Sequence, residues 1–442
     1  MSHLIYNTLL TFFLILATPY LLLRSLFQER FRTEMASRLG CFPGLSVERP
    51  IWVHAASVGE VFCSIPLLRR IKREFPQCGI LLTTMTRTGN EAAKKNIPEV
   101  DAVLFLPIDH RLVLRRVIQR IQPYSLLIAE TELWPNLLHS CGRRGIPIVL
   151  FNGRISEKSF QRYLLFKFFF KKYLRYITLF LMQTEKDQER IIEIGAPFER
   201  TRVAGNIKFD QTFPPFTQEA TAEMAKSLCL RGNETVLIAG STHSGEEEIL
   251  LDLFKDLSKT DSRLVLILAP RHLDRLAEVE RILERGDISW GRRTSLSVNR
   301  DEPLHEMNAR PRIILLDTMG ELMRLYSLGT LVFIGGSLVP VGGHNPLEPL
   351  FFKKCVLFGP HMFNFLEISR MLIEAGGAIQ VKGRGDLSSQ LKHLLSDEKA
   401  RNVVGEKGYQ FLQVHRGATE RILEEIRPFL RDLDENRIEH SA

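Results

Sequence analysis

Leu331-Val-Phe-Ile-Gly-Gly-Ser-Leu-Val-Pro-Val-Gly-Gly-His-Asn-Pro-Leu-Glu-Pro349 is the stretch on which the reading of the fold turns. Leu331 to Ile334 is an apolar, partly β-branched run of the kind that forms parallel strands buried on both faces. It feeds two glycine pairs and then a helix start, an order that points to a phosphorylated ligand. Gly335, Gly336, Gly342 and Gly343 carry no Cβ, so backbone N–H groups can approach a ligand closely. Asn345 reads as a helix N-cap, Pro346 as the first helical position and Glu348 as the third. Pro349 has no N–H to return to the Asn345 carbonyl. The positive end of such a helix suits an anion, and Glu348 could bridge two sugar hydroxyls. A glycine-rich loop closed by an ordinary capping box accounts for the same residues, and the segment alone leaves both readings open.

Outward from this strand, short apolar runs alternate with amphipathic helical patterns through most of the chain. IWVHA, GILLTTM, AVLFLP, SLLIAE, IPIVLFN and TLFLMQ come first, with Ile65 to Phe75 and Arg111 to Ile121 among the segments between them. TVLIAGS, RLVLILAP, RIILLDT, LVFIGGS and CVLFG follow a Pro-Pro segment. This rhythm specifies parallel α/β sheets. The expected fold class is α/β: two facing Rossmann-like domains with a central cleft, preceded by a membrane helix. The expected boundaries are a membrane segment at 1–30, a first domain at 31–207, a linker at 208–217, a second domain at 218–405, and a C-terminal helix and tail at 406–442. Ligands of such sheets bind beyond the carboxyl ends of the strands.

A chain of 442 residues accommodates two or three domains, and its formal net charge of +8 admits nucleic acid, anionic lipid or phosphorylated substrates as partners. Six cysteines are scattered without CxxC or His-paired spacing, which argues against zinc and against a disulfide framework. Leu4 to Leu23 carries no charge, and as a helix it is about 30 Å long, the thickness of one bilayer core. Arg24, Arg30 and Arg32 follow it, which places the body on the cytoplasmic side of a retained single-pass anchor. Pro19 and the polar Asn7, Thr8, Thr11 and Thr18 also admit a helix that only dips into one leaflet. Ser159 to Gln183 interleaves Arg162, Lys167, Lys171, Lys172 and Arg175 with Phe160, Tyr163, Phe166, Phe168, Phe169, Phe170, Tyr173 and Tyr176, a pattern suited to an anionic membrane surface. A core helix with a basic outer face, or a platform for single-stranded nucleic acid, would look similar.

Three strand ends run into Ser/Thr-x-x-Glu: Ser57 to Glu60, Ser244 to Glu247 and Thr318 to Glu321. Each is expected to be a capping box. His54, Ser57 and Gly59 crowd the turn around Glu60, where a carboxylate could also deprotonate an acceptor hydroxyl. Glu130 and Glu132 end a fully apolar strand, a costly place for a carboxylate unless it is paired or functional. Arg154, Lys208 and Arg271 follow other strands and can hold a phosphate or carboxylate. Gly240 to Gly245 has P-loop glycine spacing but continues Glu246-Glu247 where Lys-Ser/Thr is required. GxGxxG after a first strand, GxSxG and HExxH are absent, and the one Asp-x-Asp, Asp432 to Asp434, lies in the polar tail. A metal-dependent sugar transfer is therefore not indicated, and helix ends with cations are expected to stabilise a leaving phosphate instead.

VHAASVGEV (53–61), ETELWPN (130–136), NGRIS (152–156), GNIKFD (205–210), GSTHSGEE (240–247), APRH (269–272), DTMGEL (317–322) and GGHNPLEP (342–349) together resemble the membrane-anchored 3-deoxy-D-manno-octulosonic acid (Kdo) transferases of Gram-negative bacteria. The resemblance covers nearly the whole chain and implies a GT-B glycosyltransferase. It implies inverting transfer of Kdo from CMP-Kdo to the lipid A precursor at the cytoplasmic face of the inner membrane, with no metal or other cofactor. By the same resemblance Glu60 is the general base, while Glu130 and Lys208 stabilise the transition state. Pro270, Arg271, Met319, Gly320, Glu321, Asn345, Pro346, Leu347 and Glu348 would hold CMP in the second domain, and the first would bind the acceptor. NGRIS has Gly153 where the family pattern has alanine.

Two other functions compete. A nucleotide-sugar transferase or epimerase of the same fold would share the motifs, though an epimerase needs neither the anchor nor the basic aromatic stretch. A membrane-tethered nucleic-acid-binding protein would account for the positive charge; its binding would survive loss of Glu60 and follow salt through phosphate contacts. The resemblance itself excludes nucleic acid as a partner.

Overall fold

The computed structural model describes residues 2–42, 44–45, 47–210, 217–298 and 311–430. The Pro-Pro segment and the Asp-x-Asp of the tail lie outside them. The chain divides into two compact units, residues 1–212 with 415–442, and residues 213–414.

The first unit is built on seven strands: β1 (Ile51–His54), β2 (Ile80–Thr84), β3 (Ala102–Phe105), β4 (Ser125–Ala129), β5 (Ile148–Gly153), β6 (Leu179–Met182) and β7 (Thr201–Val203). They lie in the order β3-β2-β1-β4-β5-β6-β7 with every pairing parallel. β1, β2, β4, β5 and β6 are buried along their whole length, which is why each reads as an unbroken apolar run rather than an alternation. The strand order reverses direction between β1 and β4, and the loops leaving these two strands diverge and leave a crevice at their carboxyl ends.

The second unit has β8 (Thr235–Thr242), β9 (Leu264–Pro270), β10 (Trp290–Arg292), β11 (Ile313–Leu315), β12 (Leu331–Ile334), β13 (Cys355–Phe358) and β14 (Ile379–Gln380). Their order is β10-β11-β9-β8-β12-β13-β14, again parallel, with the reversal between β8 and β12. The strand that opened the sequence reading thus borders the second unit's switch point. Two Rossmann-like α/β domains stand as expected.

At the N-terminus, helix α1 (Ser2–Phe27) is followed by α2 (Glu29–Arg38). The expected single stretch at 406–430 is two helices. Glu398–His415 belongs to the second unit, and Ala418–Ile426 packs Ile422, Leu423 and Ile426 into the core of the first. Gly417, at φ +91°, makes the break. The aromatic, basic stretch forms helices Glu157–Leu165 and Lys167–Leu174. Tyr173 and Leu174 are core, whereas Leu165, Phe166 and Phe168 stand exposed among the lysines, so the stretch is part core and part surface.

Candidate active site

Helix α3 (Val58–Glu74) starts immediately beyond β1, and Ser57 caps it by accepting from the Glu60 N–H at 3.4 Å. The Glu60 carboxylate turns back on the same turn, accepting from the Ala56 N–H at 2.7 Å and the Ser57 hydroxyl at 2.9 Å. The capping box is real. It also holds a carboxylate at 8% exposure, and burial pushes its pKa up to about 7, the Ala56 bond opposing this and the charges of Glu130 and Glu132 adding to it. The bonds that satisfy the helix end therefore also fix a buried carboxylate whose pKa is raised toward neutrality.

Glu130 leaves the end of β4 with φ +54°, a conformation that non-glycine residues rarely adopt. Strain of this kind, held by the surrounding sheet, aims the side chain across the switch point. Its carboxylate lies 3.8 Å from the Lys208 ammonium. Lys208 is fixed by a short 3-10 turn, Ile207–Asp210, whose first N–H donates to the Asn152 side chain at 3.1 Å. Glu60, Glu130, Glu132, Arg154, Ser159 and Tyr163, with Thr131 and Ser156, line a pocket of about 290 Å³. Burial raises the pKa of Glu132 as well. Three carboxylates and two cations thus meet at the carboxyl edge of β1, β4 and β5. His54 is not among them: it is fully buried, and desolvation lowers its pKa to about 4, so it is a neutral core residue.

In the second unit the glycine-rich loop does something other than the sequence suggests. Glu246, at 0% exposure, accepts from the N–H groups of Gly336 at 2.6 Å, Leu338 at 2.9 Å, Ser337 at 3.0 Å and His243 at 3.0 Å. Of the four glycine N–H groups expected to meet a ligand, that of Gly336 is therefore taken by a carboxylate of the chain itself, and those of Gly335, Gly342 and Gly343 go to the Gly240 and Gly336 carbonyls. Gly335 is required for packing, since a Cβ there would lie 2.4 Å from the Ser241 carbonyl oxygen. The expected helix is a single turn, Leu347–Leu350, with Pro346 in the capping position. One turn supplies little dipole, so the anion-binding argument from Asn345 as N-cap fails. What remains is a side-chain site. Asn345 accepts from the Leu347 N–H at 3.1 Å and donates to Glu348 at 3.1 Å, while burial raises the pKa of Glu348 and the charge of Arg271 opposes it.

Arg271 is exposed just beyond β9, with its N–H on the Thr242 carbonyl at 3.0 Å. Met319 is 65% exposed and Gly320 has φ +88°, so the 318–321 turn presents backbone and thioether outward. The other two expected capping boxes do not form. Gly245 occupies the cap of the helix Glu246–Ser258, and Glu247 instead pairs with Arg275 at 3.0 Å. Glu321 caps no N–H of the next helix; it pairs with Arg293 at 3.3 Å and accepts from Thr318. Three histidines inside the GSTHSGEE, APRH and GGHNPLEP motifs received no role from the sequence. His243 and His344 share a hydrogen bond at 2.8 Å between their Nε2 atoms, and the His272 ring centroid is 5.5 Å from that of His243. Their recurrence beyond β8, β9 and β12 was the available signal.

A family model described as 3-deoxy-D-manno-octulosonic-acid transferase (kdotransferase) matches residues 32–211. The 3-deoxy-D-manno-octulosonic acid transferase of Haemophilus influenzae is 36% identical over 429 residues, which span 95% of this chain and 98% of that protein. The chain belongs to the Kdo transferase family. The transferase of the same name from Rickettsia felis is 31% identical over 382 residues, 86% of this chain and 79% of its own. A putative UDP-N-acetylglucosamine 2-epimerase from Listeria monocytogenes, 13% identical, aligns over 87% of this chain and 98% of its own with a TM-score of 0.55, a likeness of fold alone.

The enzyme is accordingly a glycosyltransferase of the GT-B class. Its motif residues fall into two groups: Glu60, Glu130 and Lys208 in the first unit, and Pro270, Arg271, Met319 to Glu321 and Asn345 to Glu348 in the second. Gly153, where the family resemblance implies alanine, has a local reason: a Cβ would sit 2.5 Å from Leu150 Cδ2 and 2.6 Å from Met182 Sδ.

Proposed function

We propose that this transferase moves one or more Kdo residues from CMP-Kdo to the lipid A precursor, lipid IVA, in lipopolysaccharide biosynthesis at the cytoplasmic face of the inner membrane. The observation that carries the reading is Glu60: a buried carboxylate beside two others, with its pKa at about 7, in a pocket of the first unit. In the proposed reaction Glu60 takes the proton of the acceptor hydroxyl as that oxygen bonds to the anomeric carbon of Kdo. The bond from this carbon to the CMP phosphate breaks, its electron pair leaves with CMP, and the configuration inverts.

Departure of CMP leaves oxocarbenium-like charge on the sugar, which Glu130 is suited to stabilise, while Lys208 offsets anionic charge on the donor. Asn345 and Glu348 are a hydrogen-bonding pair of the kind that binds a ribose diol, and Arg271 supplies a cation for the phosphate. Pro346 and Leu347, between Asn345 and Glu348 in the chain, are buried. The reading contains no metal step.

The test is the purified full-length enzyme with CMP-Kdo and lipid IVA, with and without chelator, beside Glu60→Ala. Release of CMP by the wild type alone, unaffected by chelation, is expected. Equal turnover by Glu60→Ala would remove the general base, and an absolute need for divalent cation would remove the metal-free mechanism. Product mass spectrometry counts the Kdo residues added.

A further inference from the structure

Helix α1 is long and apolar enough to cross a bilayer, and Leu4, Leu9, Phe12, Phe13, Leu16 and Leu23 are all at least 59% exposed. Its opposite face is polar at the start and is bound to the first unit. Residues 3, 6 or 7, and 11 fall on one helical face. His3 Nδ1 is 2.9 Å from the Tyr173 hydroxyl, and the His3 ring stacks on His139 with centroids 4.5 Å apart. The Tyr6 hydroxyl donates to Asp109 at 2.8 Å, and Asn7 and Asn136 exchange side-chain bonds of 3.1 and 3.0 Å. Asp109 also accepts from the N–H groups of Asn136 at 3.0 Å and Leu137 at 2.8 Å, so the docking residues are themselves held by the start of the helix Pro135–Gly142.

The other end of the anchor returns to the same place. Thr11 Oγ1 lies 3.3 Å from His110 Nε2, and the Arg38 carbonyl accepts from the Ile108 N–H at 2.9 Å. A straight helix from residue 11 to 38 would separate its ends by roughly 40 Å, yet both touch residues 108–110. The chain therefore doubles back, and it does so at Gln28, whose backbone is extended at φ −129° and ψ 99°. The returning helix α2, ERFRTEMASR, is half charged and cannot lie in hydrocarbon. A span would carry the first turns of α1 about 30 Å from the body, breaking the contacts that His3, Tyr6, Asn7 and Thr11 make with it.

We propose that α1 does not span the membrane but lies in the plane of one leaflet of an anionic bilayer, its polar stripe latched to the first unit and its apolar face in lipid. This deepens the membrane attachment proposed above and rests on it. The same surface continues beyond the latch. The Tyr6 ring is 5.7 Å from Phe169, Phe169 is 5.3 Å from Phe170, and Phe170 is 4.7 Å from Tyr163, which lines the Glu60 pocket. Phe166 and Phe168 are exposed beside Lys167, Lys171 and Lys172, the mixture that settles at an anionic lipid surface. The latch therefore sets the membrane plane relative to the pocket, so that a lipid-borne sugar reaches Glu60 without leaving the bilayer.

Asn7→Cys combined with Asn136→Cys, in the full-length chain in native membranes, tests the latch by oxidation and mass spectrometry of the linked peptides. A cross-link between residues 7 and 136 in sedimented membranes is expected, and its absence from chains that still sediment overturns the proposal alone. Nitroxide labels at Leu9, Phe13, Leu16 and Leu23, in vesicles of phosphatidylglycerol and phosphatidylethanolamine, should report one shallow depth. A profile deepest at mid-helix would establish a span and overturn the in-plane helix while leaving membrane attachment intact. Failure of the wild type to sediment with these vesicles would overturn both.

Discussion

The structural role of Glu60 and its proposed role as base pull in opposite directions. Its folded pKa of about 7 lies well above the usual carboxylate range, so the folded chain binds this proton more tightly than the unfolded chain does. The sign follows: stability associated with this group is full at low pH, falls as pH rises through the carboxylate range, and reaches its minimum above about 7. The proposed role as general base needs the opposite state, the ionised carboxylate. The pH profile of kcat/KM should therefore show an acid limb with a midpoint near 7, and Glu132→Gln, which removes a neighbouring negative charge, should move that limb to lower pH. A limb that stays in place in this variant would mean that another group limits the rate. Glu60→Gln should lose at least about 100-fold in turnover. It should also raise the unfolding free energy at pH 8 by about 1–2 kcal/mol, with the gain shrinking toward pH 5; thermal unfolding at the two pH values checks it.

At the scale of an element, the loop after β12 is held by one carboxylate. Glu246 satisfies four backbone N–H groups, three of which lie about 90 residues further along the chain. Glu246→Ala would leave those donors in a buried site and should destabilise the second unit by about 3 kcal/mol or more. CMP affinity should fall with it, because Asn345 and Glu348 extend from the same loop; calorimetric titration with CMP and urea unfolding measure the two effects. Retained affinity in a destabilised chain would separate the loop from the ligand. This contact also marks the limit of what was legible beforehand. Leu331 to Ile334 could be read as a strand because burial on both faces leaves an unbroken apolar run, and Ser57 with Glu60 could be read as a cap because its partners are three residues apart. The partner of Gly336 was illegible because it is set by the pairing of β8 with β12, and sequence proximity carries no trace of that register. The failed boxes at Ser244 and Thr318 have the same cause: Arg275 and Arg293, brought in by tertiary packing, claim the glutamates that local capping would have used.

At the scale of the molecule, the chain leaves the first unit after residue 212 and completes it only after residue 414. The helix Ala418–Ile426 packs against α3, and Asp210 accepts from the N–H groups of Gly417 at 2.6 Å and Thr419 at 2.5 Å, an anion capping the helix's positive end. Arg427 pairs with Glu74 at 2.6 Å at the far end of α3, so the same helix that carries Glu60 in its first turn is clamped by residues from the end of the chain. Glu60, the proposed base, is therefore positioned by a segment more than 350 residues away from it, and the first unit cannot reach its final packing until synthesis has passed the whole second unit. Leu423 is fully buried in this core. Leu423→Ala should cost about 2–5 kcal/mol, and hydrogen exchange should find the loss in α3 and β1, with the amides of β8 and β9 keeping their protection. CMP should produce the complementary pattern, slowing exchange at 318–321 and 345–348 in wild type and variant alike. Equal loss of protection in both sheets would show instead that the C-terminal helix supports the whole chain rather than completing one domain.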